Sequence, residues 1–170
     1  PNAQTPMRAD AMFRLASESK PITAVAILSL VDEGLVRLSD PVSRFIPEFR
    51  GARVAVSRTG VPAFVPLPPG ATLTGPRPAA DYMPATRGIT VRDLLTHTSG
   101  LGSGGLGTLH SSDIKRQPTD KLADFIPRQA KASLDFQPGT RWSYSVAAGF
   151  ETLGRIVEIA SGKPFDVFLK

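Results

Sequence analysis

The sequence predicts a mainly α chain with minor β, and three stretches carry that expectation. Ile22 to Val31 is apolar on nearly every face and runs into Asp32-Glu33-Gly34, where Gly34 is a natural helix stop. From Ser145 to Ala160, the residues Val146, Phe150, Leu153, Ile156, Val157 and Ile159-Ala160 keep near-helical spacing until Ser161-Gly162 ends the run. Thr90-Val91-Arg92-Asp93 has the form of a capping box, an N-cap hydroxyl with an acid three residues on. Against these stands one short candidate strand, Arg53 to Val56.

In chain order, the first helix is expected to start around Ser17 to Lys20. Pro21 suits a first helical turn, whose N–H groups lack intrahelical partners in any case. A helix so apolar has to be covered on all sides. After Leu35-Val36-Arg37-Leu38, the pair Asp40-Pro41 reads as an N-cap followed by an N1 proline, giving a short helix that ends before Pro47. Between Gly60 and Pro84 stand Pro62, Pro66, Pro68, Pro69, Pro76, Pro78 and Pro84, with Gly60, Gly70 and Gly75 among them, so no regular structure is expected there. The capping box opens a short helix through Leu94-Leu95 toward His97, with Gly100 as its closing residue, and Gly100 to Gly107 reads as a loop. Thr119-Asp120-Lys121 begins another helix, whose Leu122, Phe125 and Ile126 share a face until Pro127 interferes. Gln137-Pro138-Gly139-Thr140 is a turn, and Pro164 opens a last helix. There is no internal repeat.

Composition narrows the function classes. The 170 residues hold 20 Lys+Arg against 15 Asp+Glu, a formal charge of +5, with 41% apolar residues, as in a soluble globular domain or a large piece of one. No window reaches the roughly 18 apolar residues of a membrane span. The absence of cysteine excludes disulfides, thiolate metal sites and a Cys nucleophile, and leaves localisation open. Although the charge is basic, the basic residues are scattered singly and Lys115-Arg116 is their densest group, so no nucleic-acid partner is expected. With His97 and His110 the only histidines, a His-rich metal site is excluded, and no metal or organic cofactor is expected. A start at Pro1 without Met or leader, and a stop at Lys170 just inside a new helix, are what a processed or truncated product would show.

Ser17-Glu18-Ser19-Lys20 is an S-x-x-K tetrad at the head of the apolar helix. Three-residue spacing puts the Ser17 hydroxyl and Lys20 amine on one face, where a lysine with a depressed pKa can take the serine proton. The helix N-terminus adds free N–H groups near where an oxyanion would develop. The competing reading makes Ser17 a cap and Lys20 a solvated charge; the apolar helix that follows instead places Lys20 where water is scarce. Ser19 is a rival hydroxyl that points elsewhere. Tyr144, in Trp142-Ser143-Tyr144-Ser145, lies between a turn and the long helix, a junction suited to presenting a side chain into a cleft. Its phenolate is a competent general base if a cation such as Lys20 lowers its pKa, and otherwise it is a packed aromatic with a satisfied hydroxyl. Gly102 to Gly107 matches G-x-G-x-x-G, but a helix rather than a strand precedes it, which makes it a decoy for nucleotide binding. No G-x-S-x-G elbow is present, and His97 reads as a local hydrogen-bonding residue at a helix end.

Together these pieces resemble the serine β-lactamase and penicillin-binding-protein superfamily, in the class C-like branch that includes the family VIII esterases. The matching blocks are Phe13 to Thr23, Leu30 to Pro47, Ile89 to Leu101 and Pro138 to Gly162, in the family's order. The resemblance implies that Ser17 is the acylated nucleophile, Lys20 its activating partner and Tyr144 the tyrosine of the Y-x-N element, with the Ser17 N–H as half the oxyanion hole. Val146 stands where lactamases and D-alanyl peptidases usually carry Asn, which tilts the implied substrate toward carboxylic esters, with a β-lactam or a D-Ala-D-Ala peptide as the alternative. A catalytically silent fragment that binds a partner is the alternative of another class.

The family's K-T-G motif and the strand that bears it, which also supplies the second oxyanion N–H, are not found in the sequence. Residues 1–170 therefore resemble a partial β-lactamase-like domain, the helical portion of an α/β serine β-lactamase-like (transpeptidase) fold without its C-terminal sheet strands. Such a piece would leave the Ile22 to Val31 helix partly uncovered, implying association with the missing C-terminal portion, or self-association.

Overall fold

The computed structural model describes residues 6–58 and 77–170. A 3-10 turn, Ala16–Glu18, runs straight into helix α1, Ser19–Asp32. Pro21 sits in its first turn, and Gly34 follows its end in the left-handed conformation at φ +75°. Beyond two more 3-10 turns, Val42–Arg44 and Pro47–Phe49, come β1, Arg53–Ser57, and β2, Ala80–Pro84. The helices α2, Val91–Leu95, α3, Leu106–His110, α4, Leu122–Gln129, α5, Ala148–Ser161, and α6, Phe165–Phe168, complete the described chain. Its character is mainly α with one small sheet, as the periodicity predicts.

Helix α5 is the hub, with α1, α2, α4 and α6 all packed against it. Its Leu153, Ile156 and Val157 are fully buried and meet Ile27 and Leu30 of α1, Val91 and Leu94 of α2 and Ile126 of α4 in one apolar cluster. Burial of each such side chain contributes about 1.5–3 kcal/mol. The two strands pair antiparallel from Arg53↔Pro84 to Ser57↔Ala80. Leu134 adds an isolated bridge to β1, donating its N–H to Arg53 O at 2.8 Å and accepting from Ala55 N–H at 2.9 Å.

Several expectations are corrected. Of the proline-rich stretch, residues 60–76 lie outside the described residues, but Ala80–Pro84 is a strand rather than irregular chain. Its one proline stands at the strand's last position, where a missing donor is tolerated. Pro41 is not N1 but the N-cap of Val42–Arg44, held extended at ψ 138° by its bridge to Thr90. The Asp40 carboxylate accepts the Arg37 N–H and pairs with Arg44. A further 3-10 turn begins at Pro47, where the helix was expected to have ended, and buries Phe49.

The capping box is present, with the Thr90 N–H donating to Asp93 Oδ2 at 2.9 Å and the Asp93 N–H to Thr90 Oγ1 at 3.2 Å. The helix nevertheless ends at Leu95, and it is His97, at φ +58°, that first turns left-handed after it. Gly100 serves the next turn at φ +75°, where a Cβ would collide with the carbonyl oxygen of Phe136. Leu106 and Gly107 belong to α3 rather than to the glycine loop. Pro127 is absorbed inside α4, whose Phe125 and Ile126 are anchored in the core. Helix α5 starts at Ala148, and Ser145 caps it from outside by accepting the Gly149 N–H at 3.1 Å.

Coverage of α1 on all sides is not realised. Thr23, Ala26, Ile27 and Leu30 are buried, while Ile22, Val25 and Leu28 remain 44%, 65% and 45% exposed because α5 packs along one side only. No helix among the described residues is long and apolar enough to cross a membrane.

Candidate active site

Ala16 takes φ +47°, a conformation disfavoured for a residue with a Cβ, and so turns the chain sharply just before Ser17. The 3-10 turn that Ala16 opens brings residues three apart close to eclipsed, and Lys20 Nζ donates to Ser17 Oγ at 3.2 Å. Ser17 Oγ also stands 2.7 Å from the hydroxyl of Tyr144. Lys20 Nζ makes a second bond, 2.7 Å to the carbonyl oxygen of Val146, and lies 4.9 Å from the centre of the Tyr144 ring. The alcohol, the amine and the phenol singled out in the sequence thus meet at the mouth of α1. Ser19 stays outside this cluster, its carbonyl taken by the Thr23 hydroxyl.

Lys20 is half-buried rather than dry, because the uncovered side of α1 leaves it open to water. An open cleft of about 950 Å³ is lined by Lys20, Thr23, Arg116, Val146, Phe150 and Lys163, and so adjoins the cluster through Lys20 and Val146.

Tyr144 is delivered by an extended segment that alternates. Ser143 and Ser145 point inward and are buried, whereas Trp142, Tyr144 and Val146 point outward. The Ser143 hydroxyl donates to the carbonyl of Ser103 at 3.1 Å, tying the segment to the glycine loop beneath it. Gly102, at φ +60°, lets the same loop sit against the start of α5, since a Cβ there would come within 2.7 Å of Ala148 Cβ. The loop is itself anchored by buried Asp135, which accepts from the N–H groups of Ser103 at 2.8 Å and Thr108 at 2.7 Å. The glycines of the G-x-G-x-x-G match therefore bring backbone segments together, with α2 rather than a strand before them.

His97 also belongs to this neighbourhood. Its Nδ1 accepts the Ser145 N–H at 3.1 Å, its carbonyl accepts the Ser143 N–H at 3.0 Å, and its ring packs on Tyr144 with centroids 4.7 Å apart. Sequence reasoning left it as a local helix-end residue and did not single out Ser103, Ser143 or Asp135. The alternation in Trp142-Ser143-Tyr144-Ser145-Val146 was the available signal for the two inward serines.

Interaction with Lys20 first, and then with the Ser17 hydroxyl, lowers the Tyr144 pKa below the ordinary phenol value, with a small opposing effect of burial. Burial first, and the Lys20 charge second, lower the His97 pKa. His97 is accordingly neutral at neutral pH, with Nδ1 as an acceptor and the proton on Nε2. An alcohol within hydrogen-bonding reach of a phenol of lowered pKa, with a cation beside both, has the parts needed to activate a nucleophile. Among the described residues, no group of three His, Asp or Glu side chains is placed to hold a metal ion.

Residues 2–170 match the family described as Beta-lactamase. The chain is 38% identical over 170 residues to Esterase EstB of Burkholderia gladioli, covering 95% of this chain and 36% of that protein. It is 30% identical over 161 residues to Penicillin-binding protein 4 of Amycolatopsis lactamdurans, covering 95% of this chain and 33% of that one. Among solved structures, EstCE1, a hydrolase with promiscuous acyltransferase activity, superposes with a TM-score of 0.65 at 27% identity, over 96% of this chain and 37% of that one. The chain thus spans about a third of the length of these relatives. With the match running over nearly its whole length, the chain belongs to the Beta-lactamase family.

Proposed function

We propose that the chain carries the nucleophile and proton-transfer groups of a serine hydrolase that acts on carboxylic esters through an acyl-enzyme. The observation that carries this reading is the 2.7 Å contact between Ser17 Oγ and the Tyr144 hydroxyl, with Lys20 Nζ 3.2 Å from the same oxygen. Ser17 Oγ attacks the ester carbon while its proton passes to Tyr144 in the phenolate form, which Lys20 stabilises. The Ser17 N–H is one donor for the oxyanion, the second belonging to the family's later strand. Collapse breaks the bond to the alcohol, which leaves with the Tyr144 proton, and water then releases the acid by the same route.

Val146 favours esters. Its side chain is 70% exposed at the mouth of the cleft and offers no amide to a substrate's acylamino group, while its carbonyl is engaged by Lys20. Hydrolysis of a β-lactam or a D-alanyl peptide is the second reading, favoured by the likeness to Penicillin-binding protein 4. Residues 1–170 form on this proposal a partial β-lactamase-like domain, and exposed Ile22, Val25 and Leu28 are the face on which the family's remaining portion packs.

The test uses the longest natural chain that contains residues 1–170. A fluorophosphonate probe should label Ser17, a short-chain p-nitrophenyl ester should give a burst of nitrophenol, and Ser17→Ala should abolish both. A penicillin probe that labels when the ester gives no burst selects the second reading. Absence of labelling by either probe rejects the hydrolase and leaves a partner-binding chain.

A further inference from the structure

Among the described residues, Ala16 and His97 are the non-glycine residues with positive φ. Both border the same cluster: Ala16 precedes Ser17, and the His97 ring lies against Tyr144. Side chains with a Cβ are held in this conformation only where the surroundings over-determine it, and such residues concentrate at functional sites. The Ala16 turn aims Ser17. The His97 turn has no such assigned purpose, because Gly100 three residues on already reverses the chain at φ +75°.

We propose that His97 is a positioning residue for Tyr144. Its carbonyl accepts the Ser143 N–H at 3.0 Å and its Nδ1 accepts the Ser145 N–H at 3.1 Å, so one residue grips the backbone on both sides of the tyrosine. Between these two bonds its ring lies on the Tyr144 ring, 4.7 Å between centroids and tilted by 41°, and Phe150 backs it at 5.4 Å. Lys20 holds the same segment one residue further on, donating to the carbonyl of Val146 at 2.7 Å. Left-handed backbone at residue 97 is what lets a single side chain and its own carbonyl face the same extended segment. Position 97 thus needs two properties, tolerance of positive φ and an acceptor at the place of Nδ1, to which the ring adds a contact face for Tyr144. The acceptor requires neutral imidazole, which agrees with the lowering of the His97 pKa by burial and by Lys20.

The inference rests on the proposed function only for its catalytic meaning, so its test reads Tyr144 directly. The chain has two tyrosines, and Tyr82→Phe leaves Tyr144 as the only phenol to titrate by absorbance near 295 nm. In that background His97→Phe, which keeps a flat ring without the acceptor, should raise the Tyr144 midpoint toward the ordinary tyrosine value, as should His97→Ala. His97→Asn tolerates positive φ and puts Oδ1 in place of Nδ1, and it should keep the parent midpoint.

Fluorophosphonate labelling of Ser17 should fall roughly 100-fold for His97→Phe and recover in His97→Asn. The proposal is overturned if folded His97→Phe keeps the parent midpoint, if His97→Asn shifts or unfolds as His97→Ala does, or if Tyr144 titrates like free tyrosine in the parent. Should the parent resist labelling while the tyrosine midpoints follow the expected order, the hydrolase reading fails and the positioning role stands.

Discussion

Replacement of Asp93 by Ala tests how strongly α2, the helix that leads to His97, is anchored. Asp93 is 4% exposed and accepts five bonds: two from Arg87, at 2.5 and 2.9 Å, two from Thr90, by its N–H at 2.9 Å and its hydroxyl at 2.7 Å, and one from the Thr98 hydroxyl at 3.2 Å. The Arg87 side chain is 43% exposed and can be resolvated when its partner goes, so the ion pair contributes under about 1 kcal/mol. The Thr90 donors to a charged acceptor contribute about 1.5 kcal/mol each, and the helix loses its capping box with them. Together the loss comes to roughly 3–4 kcal/mol, within the range for stripping a buried carboxylate from its partners. In urea, with a slope of about 2 kcal/mol/M, the midpoint followed by far-UV circular dichroism should fall by about 1.5–2 M.

The same residue predicts an acid limb. Burial works to raise the Asp93 pKa, but the Arg87 guanidinium and the Thr90 donors outweigh it and hold the carboxyl below its ordinary value. Its stabilising contribution is therefore complete above the unfolded carboxylate pKa near ~4 and lost as pH falls through the lower folded value. Asp93→Asn should flatten that limb. A midpoint shift under about 0.3 M for Asp93→Ala, or an acid limb unchanged in Asp93→Asn, would refute the assignment.

Tyr144→Phe removes the 2.7 Å bond to Ser17 from a half-exposed side chain. Labelling of Ser17 should slow by about 10²–10⁴-fold while the thermal midpoint barely moves, and labelling at the parent rate would contradict a proton-transfer role. Gly100→Ala forces a Cβ into the Phe136 carbonyl at φ +75° and should cost at least about 2 kcal/mol. A calorimetric midpoint lowered by roughly 5–8 °C is expected, and an unchanged one would argue against the close approach.

Legibility in the sequence followed the range of the interaction. Helix ends set by neighbouring atoms were readable: Gly34 after α1, the Thr90–Asp93 box and Gly162 after α5 all occupy their expected places. Features decided by distant partners were not. β2 exists because β1 supplies its ladder, and proline content spoke against a strand whose proline sits at its end. Pro41 is extended because Thr90 bridges it, and Ser145 left the helix to cap it from outside. At the site, the S-x-x-K spacing and the outward tyrosine were visible as residue types. The left-handed grip of His97 was not, since nothing local requires positive φ there and its two bonds reach 46 and 48 positions along the chain.

The hydroxyl and the phenol that touch are 127 positions apart. The entropy of closing so long a span grows only slowly with length, and the closure is held by the docking of α5 on α1 together with the Lys20 bond to the Val146 carbonyl. A nascent chain that has left the ribosome as far as α4 already owns Ser17 and Lys20, yet lacks Tyr144. On the proposed function, reactivity toward acyl donors would require α5 to have docked, and a copy in which it has not would be chemically dormant.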